Sequence, residues 1–263
     1  MKVALVYNDS PKTLRTVERL QNLLVQRQIA VDQKHPDLVL SIGGDGTMLY
    51  AFHKYLRQID QVNFVGVHTG HLGFYTDWWD YELPDMVNAL RDKKPTIDDY
   101  PLLEIRVTDN KQTQKVMALN EATMRGIVKT FAAQVELQGR PFESFRGDGL
   151  CVSTPTGSTA YNKSLGGAVI QPSLRTMQLA EIASLNNRVF RTLSAPLVVA
   201  PDETITIKPD HPSDITIVVD GRKVEHERLV QVEFKISKHA IRFARYRPLN
   251  FWNRVHVAFI GQN

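Results

Sequence analysis

Ser41-Ile-Gly-Gly-Asp-Gly-Thr47 decides how the first part of this chain is read. Asp37-Leu-Val-Leu-Ser-Ile42 leads into it, a short apolar run with the character of a buried strand. Residues 48–58 follow without Gly or Pro, and Leu49, Phe52 and Leu56 recur at helical spacing. The glycines therefore sit on a strand-to-helix turn. Glycine at such a turn admits positive φ and close approach of a ligand to the backbone. Backbone N–H groups there, backed by a helix N-terminus, suit phosphate oxygens. The acid inside the turn is the telling residue. A turn that only cradled phosphate gains nothing from another negative charge. Asp45 thus points to chemistry at the phosphate: orienting a hydroxyl, accepting its proton, or helping to hold a metal ion. The competing reading is a plain tight turn with Asp as a turn former.

Upstream, residues 2–7 read as a buried strand, and Ser10-Pro11 opens a helix with a capping hydroxyl and a proline at its first position. Leu14, Val17, Leu20, Leu23 and Leu24 give that helix one apolar face through about Gln28, and residues 29–32 read as a short strand. Downstream of the turn comes strand 63–67. The resulting β-α-β-β-α-β order predicts an open, largely parallel sheet with ligands at the carboxyl ends of its strands. A second glycine-rich loop follows, Gly66-Val-His-Thr-Gly-His-Leu-Gly-Phe-Tyr75. Phe74 there is either an aromatic face for a base or a buried side chain. His68 and His71 have no third ligand nearby and read as hydrogen-bonding loop residues, not a metal site. Residues 82–91 predict a surface helix, ended by Lys93-Lys-Pro95.

The pattern changes near Thr96. Short alternating runs dominate from there to about Arg245: 103–107, 116–119, 135–137, 204–207, 215–219, 229–236 and 240–243. Turn signals such as Asp109-Asn110, Gln138-Gly-Arg-Pro141, His211-Pro212 and Asp220-Gly221 separate them. This spacing predicts an antiparallel, sandwich-like β domain. The expected organisation is an α/β N-terminal domain with an open parallel sheet over 1–99 and an all-β sandwich over 100–248. Residues 251–260 are apolar enough to pack somewhere.

Composition bounds the rest. The chain has 263 residues, 43% of them apolar, and a net charge of +4. That is ample for a core and compatible with polyanionic small molecules. No long block of like charges suggests nucleic acid. The one cysteine, Cys151, excludes an intrachain disulfide and any multi-cysteine metal site, and its apolar surroundings read as core. The N-terminal apolar run is too short for a signal peptide, and no run approaches the ~18 apolar residues of a membrane span. A soluble cytoplasmic protein is expected.

Two polar stretches break the strand pattern of the second half. Asn120-Glu121 follows directly on an apolar run; an amide can read a base edge and a carboxylate can accept from ribose hydroxyls, although a strand-end turn fits equally. Arg146-Gly-Asp-Gly149 is followed by the hydroxyl-rich run Ser153-Thr-Pro-Thr-Gly-Ser-Thr-Ala-Tyr-Asn-Lys-Ser164, with a short helix expected over 159–165. Buried hydroxyls need partners, and a sugar-phosphate ligand would supply them.

Taken together, Gly43-Gly-Asp-Gly-Thr47, Gly66 to Phe74, Asn120-Glu121, Arg146 to Gly149 and Ser153 to Ser164 resemble the NAD kinase family in order and spacing. The glycine-aspartate-glycine turn alone is shared with lipid kinases and phosphofructokinases; Thr-Pro-Thr-Gly-Ser-Thr-Ala-Tyr makes the match specific. His68 stands where many members carry asparagine; the family's Gram-positive bacterial branch looks similar to this chain at that position. The resemblance implies an enzyme that transfers a phosphoryl group from ATP, or polyphosphate, to the 2′-hydroxyl of the adenosine ribose of NAD. It implies that Asp45 meets that hydroxyl, and that Gly44, Gly46 and Thr47 line the phosphate side. Phe74 would lie near the adenine, and Asn120 and Glu121 would bind adenine edge and ribose. Thr159, Ala160, Tyr161 and Ser164 would surround the dinucleotide. Asp148 and Ala183 would reach the nicotinamide end, partly from a neighbouring subunit of a homodimer or homotetramer. A tail, 249–263, would pack back on the first domain. Mg2+ or another divalent cation would arrive with ATP, since its phosphates need charge neutralisation. The rival functions are a lipid or sugar kinase using the same turn, and a non-catalytic dinucleotide-sensing module.

Overall fold

A computed structural model of the chain describes residues 1–70 and 73–261. His71 and Leu72, within the second glycine loop, lie outside the described residues. Two compact units divide the chain: Met1–Asp99 with Ala240–Asn263, and Tyr100–His239.

The first unit starts with β1 (Lys2–Tyr7), α1 (Pro11–Gln26), β2 (Ala30–Val31), β3 (Leu38–Ile42), α2 (Asp45–Tyr55), β4 (Asn63–His68), β5 (Trp78–Trp79) and α3 (Leu83–Asp92). The strands pair in parallel: β2 on β1, β1 on β3, β3 on β4 and β4 on β5. Val3 to Val6 and Leu38 to Ile42 are buried throughout, which is why these strands read as continuous apolar runs: helices cover both faces of a parallel sheet. Ser10 caps α1, its Oγ accepting from the Thr13 N–H at 3.2 Å. The buried stripe of α1 is shifted from the one expected. Thr13, Thr16, Val17, Leu20 and Leu24 face inward, and Leu14 is 45% exposed. Burying the threonines is cheap because their hydroxyls are partnered: Thr16 Oγ1 donates to Lys12 O at 2.9 Å, and Thr13 Oγ1 meets Thr69 Oγ1 at 2.9 Å.

The second unit is built on β6 (Thr96–Asp109), β7 (Thr113–Ala118), β8 (Glu121–Gly126), β9 (Phe131–Leu137), β10 (Arg140–Gly147), β11 (Gly149–Ser153), the short α4 (Tyr161–Ser164), β12 (Met177–Ile182), β13 (Leu197–Val199), β14 (Ile205–Pro209), β15 (Ile215–Val219), β16 (Arg222–Val224) and β17 (Leu229–Arg245). One sheet runs β10-β9-β14-β17, with β6 on β17 and β7 on β6; the other runs β13-β12-β11-β8-β15-β16. Met124, Leu150 and Ile217 from the second sheet share one core with Phe131, Phe145, Ile205 and Phe234 from the first. That is a β-sandwich, as the alternation predicts. Cys151 is fully buried in it, and desolvation pushes its thiol pKa up, which makes it inert core.

Strand boundaries depart from expectation where strands carry polar residues. β10 begins at Arg140 and Pro141, which read as the end of a turn in sequence, and β8 begins at Glu121 itself. The runs 229–236 and 240–243 are one strand, β17; Lys238-His239 does not interrupt it. The chain rejoins the first unit at Ala240, earlier than position 249, because Phe243 of β17 pairs in parallel with Phe64 of β4. It ends in α5 (Phe251–Phe259).

Candidate functional site

In the first unit the site residues gather at the carboxyl ends of β3 and β4. Gly43 lies at φ +151°, and a Cβ there would sit 2.2 Å from Thr47 Oγ1, so only glycine turns β3 into α2. Gly44 is the N-cap of α2 and Asp45 its first residue. The Asp45 carboxylate spans back to the second glycine loop. Its Oδ2 accepts from the Phe74 N–H at 2.9 Å and its Oδ1 from the Tyr75 N–H at 3.0 Å. Gly73 makes this approach feasible: a Cβ there would lie 2.3 Å from Asp45 Oδ1. An ionised carboxylate has about four acceptor sites. Two are used, so capacity remains for a hydroxyl. The helix N-terminus favours negative charge at this point.

Gly44 and Gly46 are exposed, and a Cβ on either meets nothing within 4 Å. Neither has positive φ. Their lack of a side chain therefore serves no packing or backbone need; it keeps the space beside Asp45 clear. Thr47 is buried, 9% exposed, with its N–H donating to Gly44 O at 3.0 Å. The Phe74 ring stacks on Phe259 at 5.6 Å and tilts against Phe251 at 6.3 Å. It is packed on one side and half-exposed. His68 is 1% exposed, stands 3.5 Å from the Trp79 ring, and has Nδ1 3.4 Å from Gly70 O. Desolvation lowers its pKa, as suits a neutral packed imidazole. Among the described residues no group of three or more His, Cys, Asp or Glu side chains is arranged to hold a metal ion.

In the second unit the organising residue is Asp220, which the sequence marks only as a turn former. Its φ is +48°, and its buried carboxylate accepts from three consecutive N–H groups: Leu119 at 2.8 Å, Asn120 at 2.8 Å and Glu121 at 3.3 Å. Thr154 and Thr156 close the other side. Thr154 Oγ1 donates to Leu119 O at 2.5 Å, Thr154 N–H to Asn120 O at 2.8 Å, and Thr156 Oγ1 to Leu119 O at 3.0 Å. The hydroxyls at 154 and 156 are thus satisfied by backbone, as is Ser158, whose Oγ accepts from the Ile170 N–H at 2.8 Å. These three hydroxyls shape the loop that carries Thr159, Ala160 and Tyr161, all half-buried. The side chain of Tyr161 accepts at its hydroxyl from Arg125 Nη2 at 3.1 Å. Ser164, at the end of α4, is exposed.

Glu121 is the unusual titrating group. Burial first, then the neighbouring Asp220 charge, push its pKa up to about 7, against a backbone N–H from Tyr161. Its Oε2 is buried without a partner. The structure thus brings Glu121 and Tyr161 together. Asp148 N–H donates to the carbonyl of Ile182, the residue before Ala183, at 2.9 Å. Asp148 and Ala183 are exposed. Asp148 borders an open cavity of about 410 Å3 with Arg125 and Lys129; Ala183, at φ +45°, borders one of about 240 Å3 with Glu181 and Ser194.

The raised Glu121 pKa predicts a pH dependence of stability. The unfolded chain loses this proton near pH 4.3 and the native one near pH 7. Between those values the native state binds more protons, so stability falls as pH rises. The contribution, roughly 3 kcal/mol, is complete below the unfolded pKa and lost through pH 7. Glu121→Gln should reduce the stability difference between pH 4.5 and 7.5 by about that amount in urea titrations; an unchanged difference would contradict the neutral buried acid.

Comparison with known proteins adds the following. Residues 8–92 match the ATP-NAD kinase N-terminal domain, and residues 117–246 the ATP-NAD kinase C-terminal domain. The NAD kinase of Lactobacillus gasseri is 55% identical over 263 residues, covering 100% of this chain and 98% of that protein. That of Lactobacillus johnsonii is 56% identical over 265 residues with the same coverage. Among solved structures, yeast NADH kinase complexed with NADH superposes with a TM-score of 0.86 at 18% identity, covering 100% of this chain and 89% of that one. An NAD kinase from Archaeoglobus fulgidus in complex with ATP superposes with a TM-score of 0.74 at 24% identity, covering 94% of each.

Proposed function

Because the chain belongs to the NAD kinase family, we propose that its reaction, phosphorylation of the 2′-hydroxyl of the adenosine ribose of NAD with ATP as donor, is carried by Asp45 at the head of α2. The observation that supports this role is the pair of N–H groups, from Phe74 and Tyr75, that fix the Asp45 carboxylate beside side-chain-free Gly44 and Gly46. Phosphoryl transfer commonly passes through a loose transition state, so the protein mainly positions groups and stabilises charge. An ordinary carboxylate is a weak base for a sugar alcohol. Asp45 aligns the hydroxyl and takes its proton late, as the new O–P bond forms and the ADP oxygen leaves. Gly44, Gly46 and Thr47 line the phosphate side.

Within the second unit, Asn120 and Glu121 serve adenine edge and ribose, Thr159, Ala160, Tyr161 and Ser164 surround the dinucleotide, and Asp148 and Ala183 serve the nicotinamide end. Near neutral pH Glu121 both donates and accepts, which suits a ribose diol. Mg2+ comes as part of the ATP complex, where it neutralises charge on the phosphates. On this reading the enzyme works in the cytoplasm as a homodimer or homotetramer. Incubation with ATP and NAD, followed by an NADP-specific dehydrogenase readout, tests the activity; no NADP formed would refute it. Matches over both halves of the chain do not favour a lipid or sugar kinase, or a sensing module.

The clear space at Gly46 makes a separate prediction. Alanine fits its backbone and, inside a helix, adds about 0.5–1 kcal/mol of stability. Gly46→Ala should therefore melt no lower than the parent protein while its KM for ATP rises about tenfold or more, the loss of a close phosphate contact being worth ~1.4 kcal/mol or more. Unchanged KM for ATP would remove Gly46 from the phosphate side.

A further inference from the structure

Arg254 is the buried residue of α5, 8% exposed. Its Nη1 donates to Phe74 O at 2.7 Å and to Gly73 O at 3.4 Å; its Nη2 donates to Asp77 Oδ1 at 2.6 Å. The two carbonyls matter for what lies across their peptide groups. The peptide that presents Gly73 O carries the Phe74 N–H, and the peptide that presents Phe74 O carries the Tyr75 N–H. Those two N–H groups are the ones that hold Asp45. In a trans peptide the C=O and N–H point in opposite directions. Two consecutive peptides are therefore gripped from both sides, a guanidinium on their oxygens and a carboxylate on their nitrogens. A cation on the oxygen side also polarises each peptide and strengthens its N–H as a donor.

The guanidinium is itself braced. Asp77 Oδ2 accepts from Arg245 Nη1 at 2.6 Å, and Arg245 Nε donates to Asp98 Oδ2 at 3.0 Å. The side chains of Arg245 and Asp77 are 2% and 4% exposed. Arg247 adds a bond to Asp77 O and a paired contact with Glu82 at 2.8 Å. Buried charge is costly, and an apolar residue would hold α5 in place about as well. Its retention here has a use if the held loop must be exact.

We propose that Arg254 is a positioning residue for Asp45, acting through the 73–75 backbone. This rests on the catalytic reading of Asp45. The test is a double-mutant cycle on the full chain, with kcat and both KM values measured for Arg254→Gln, Asp45→Asn and the pair. Arg254→Gln should lower kcat by about 10- to 100-fold, the scale of an ångström of misplacement, with both KM values nearly unchanged. In the Asp45→Asn background the same substitution should leave kcat unaltered. Arg254→Lys, which keeps the charge but not the fork, should recover part of the loss; it also replaces Arg254→Gln in the cycle if that variant shows no melting transition. Equal kcat losses in both backgrounds, a loss confined to KM, or no loss would overturn the inference while leaving Asp45 in its role. Near-normal turnover of Asp45→Asn alone would instead overturn the catalytic reading, and the inference with it.

Discussion

Asp45→Asn should lower turnover by about 10²–10⁴-fold, the usual span of a general-base contribution, while KM for NAD changes little. The amide keeps one oxygen acceptor for Phe74 or Tyr75 and the same volume, so the loop and the α2 terminus stay formed. What it loses is one of the two loop hydrogen bonds, the negative charge, and the capacity to take a proton from a ribose hydroxyl. The separation of kcat from KM is the informative part. A carboxylate that merely fixed the turn would, on replacement, lower thermal stability and raise KM together. Steady-state kinetics with ATP and NAD, alongside a thermal melt, distinguishes the outcomes; a variant with parental kcat would take the chemistry away from Asp45.

The largest loss of stability is expected at Asp220→Ala. Three backbone donors, at Leu119, Asn120 and Glu121, lose their charged acceptor in a buried setting. Each orphaned donor costs about 1–3 kcal/mol; partial relaxation toward water leaves a total of about 3–5 kcal/mol. Alanine at φ +48° adds strain, because that backbone region tolerates Asn and Asp far better. A fall in Tm of about 10 °C follows, with a rise in KM for NAD through displacement of Asn120 and Glu121. Asp220→Asn separates these causes. It keeps the left-handed backbone and one acceptor but turns an NH2 toward a backbone N–H, so its stability loss should be smaller. Removing the charge beside Glu121 also lowers that acid's pKa toward the ordinary carboxylate range. A wild-type melting curve for Asp220→Ala would show that the three donors find other partners.

The division of the chain into a parallel α/β part and a sandwich was legible because it depends on coarse pattern: unbroken apolar runs such as Val3 to Val6, and alternation such as Ile215 to Val219. The strand-to-helix turn that carries Asp45 was legible because three glycines around one acid are an unusual composition for such a turn; the part expected of Thr159, Ala160 and Tyr161 came only from the resemblance. Three features were not. Asp220 reads as an ordinary turn residue, since its partners are backbone N–H groups about a hundred positions away. β8 and β10 are polar on one face, and Arg140-Pro141 has the signature of a loop. Arg254 sits in an apolar tail, where a lone arginine suggests solvent; only the fold reveals that Asp77 and two carbonyls surround it.

The first unit is discontinuous in sequence, opening with Met1–Asp99 and closed by residues from Ala240 onward. On a ribosome, where elongation proceeds at about 5–20 residues per second, the opening part emerges early and then waits through the synthesis of all of Tyr100–His239 before Phe243 can join β4 and Arg254 can reach Asp77. A nascent chain released before that point holds Asp45 against a loop with no guanidinium behind it. The strand and helix that complete the first unit are thus supplied only after the whole of the second unit has been made.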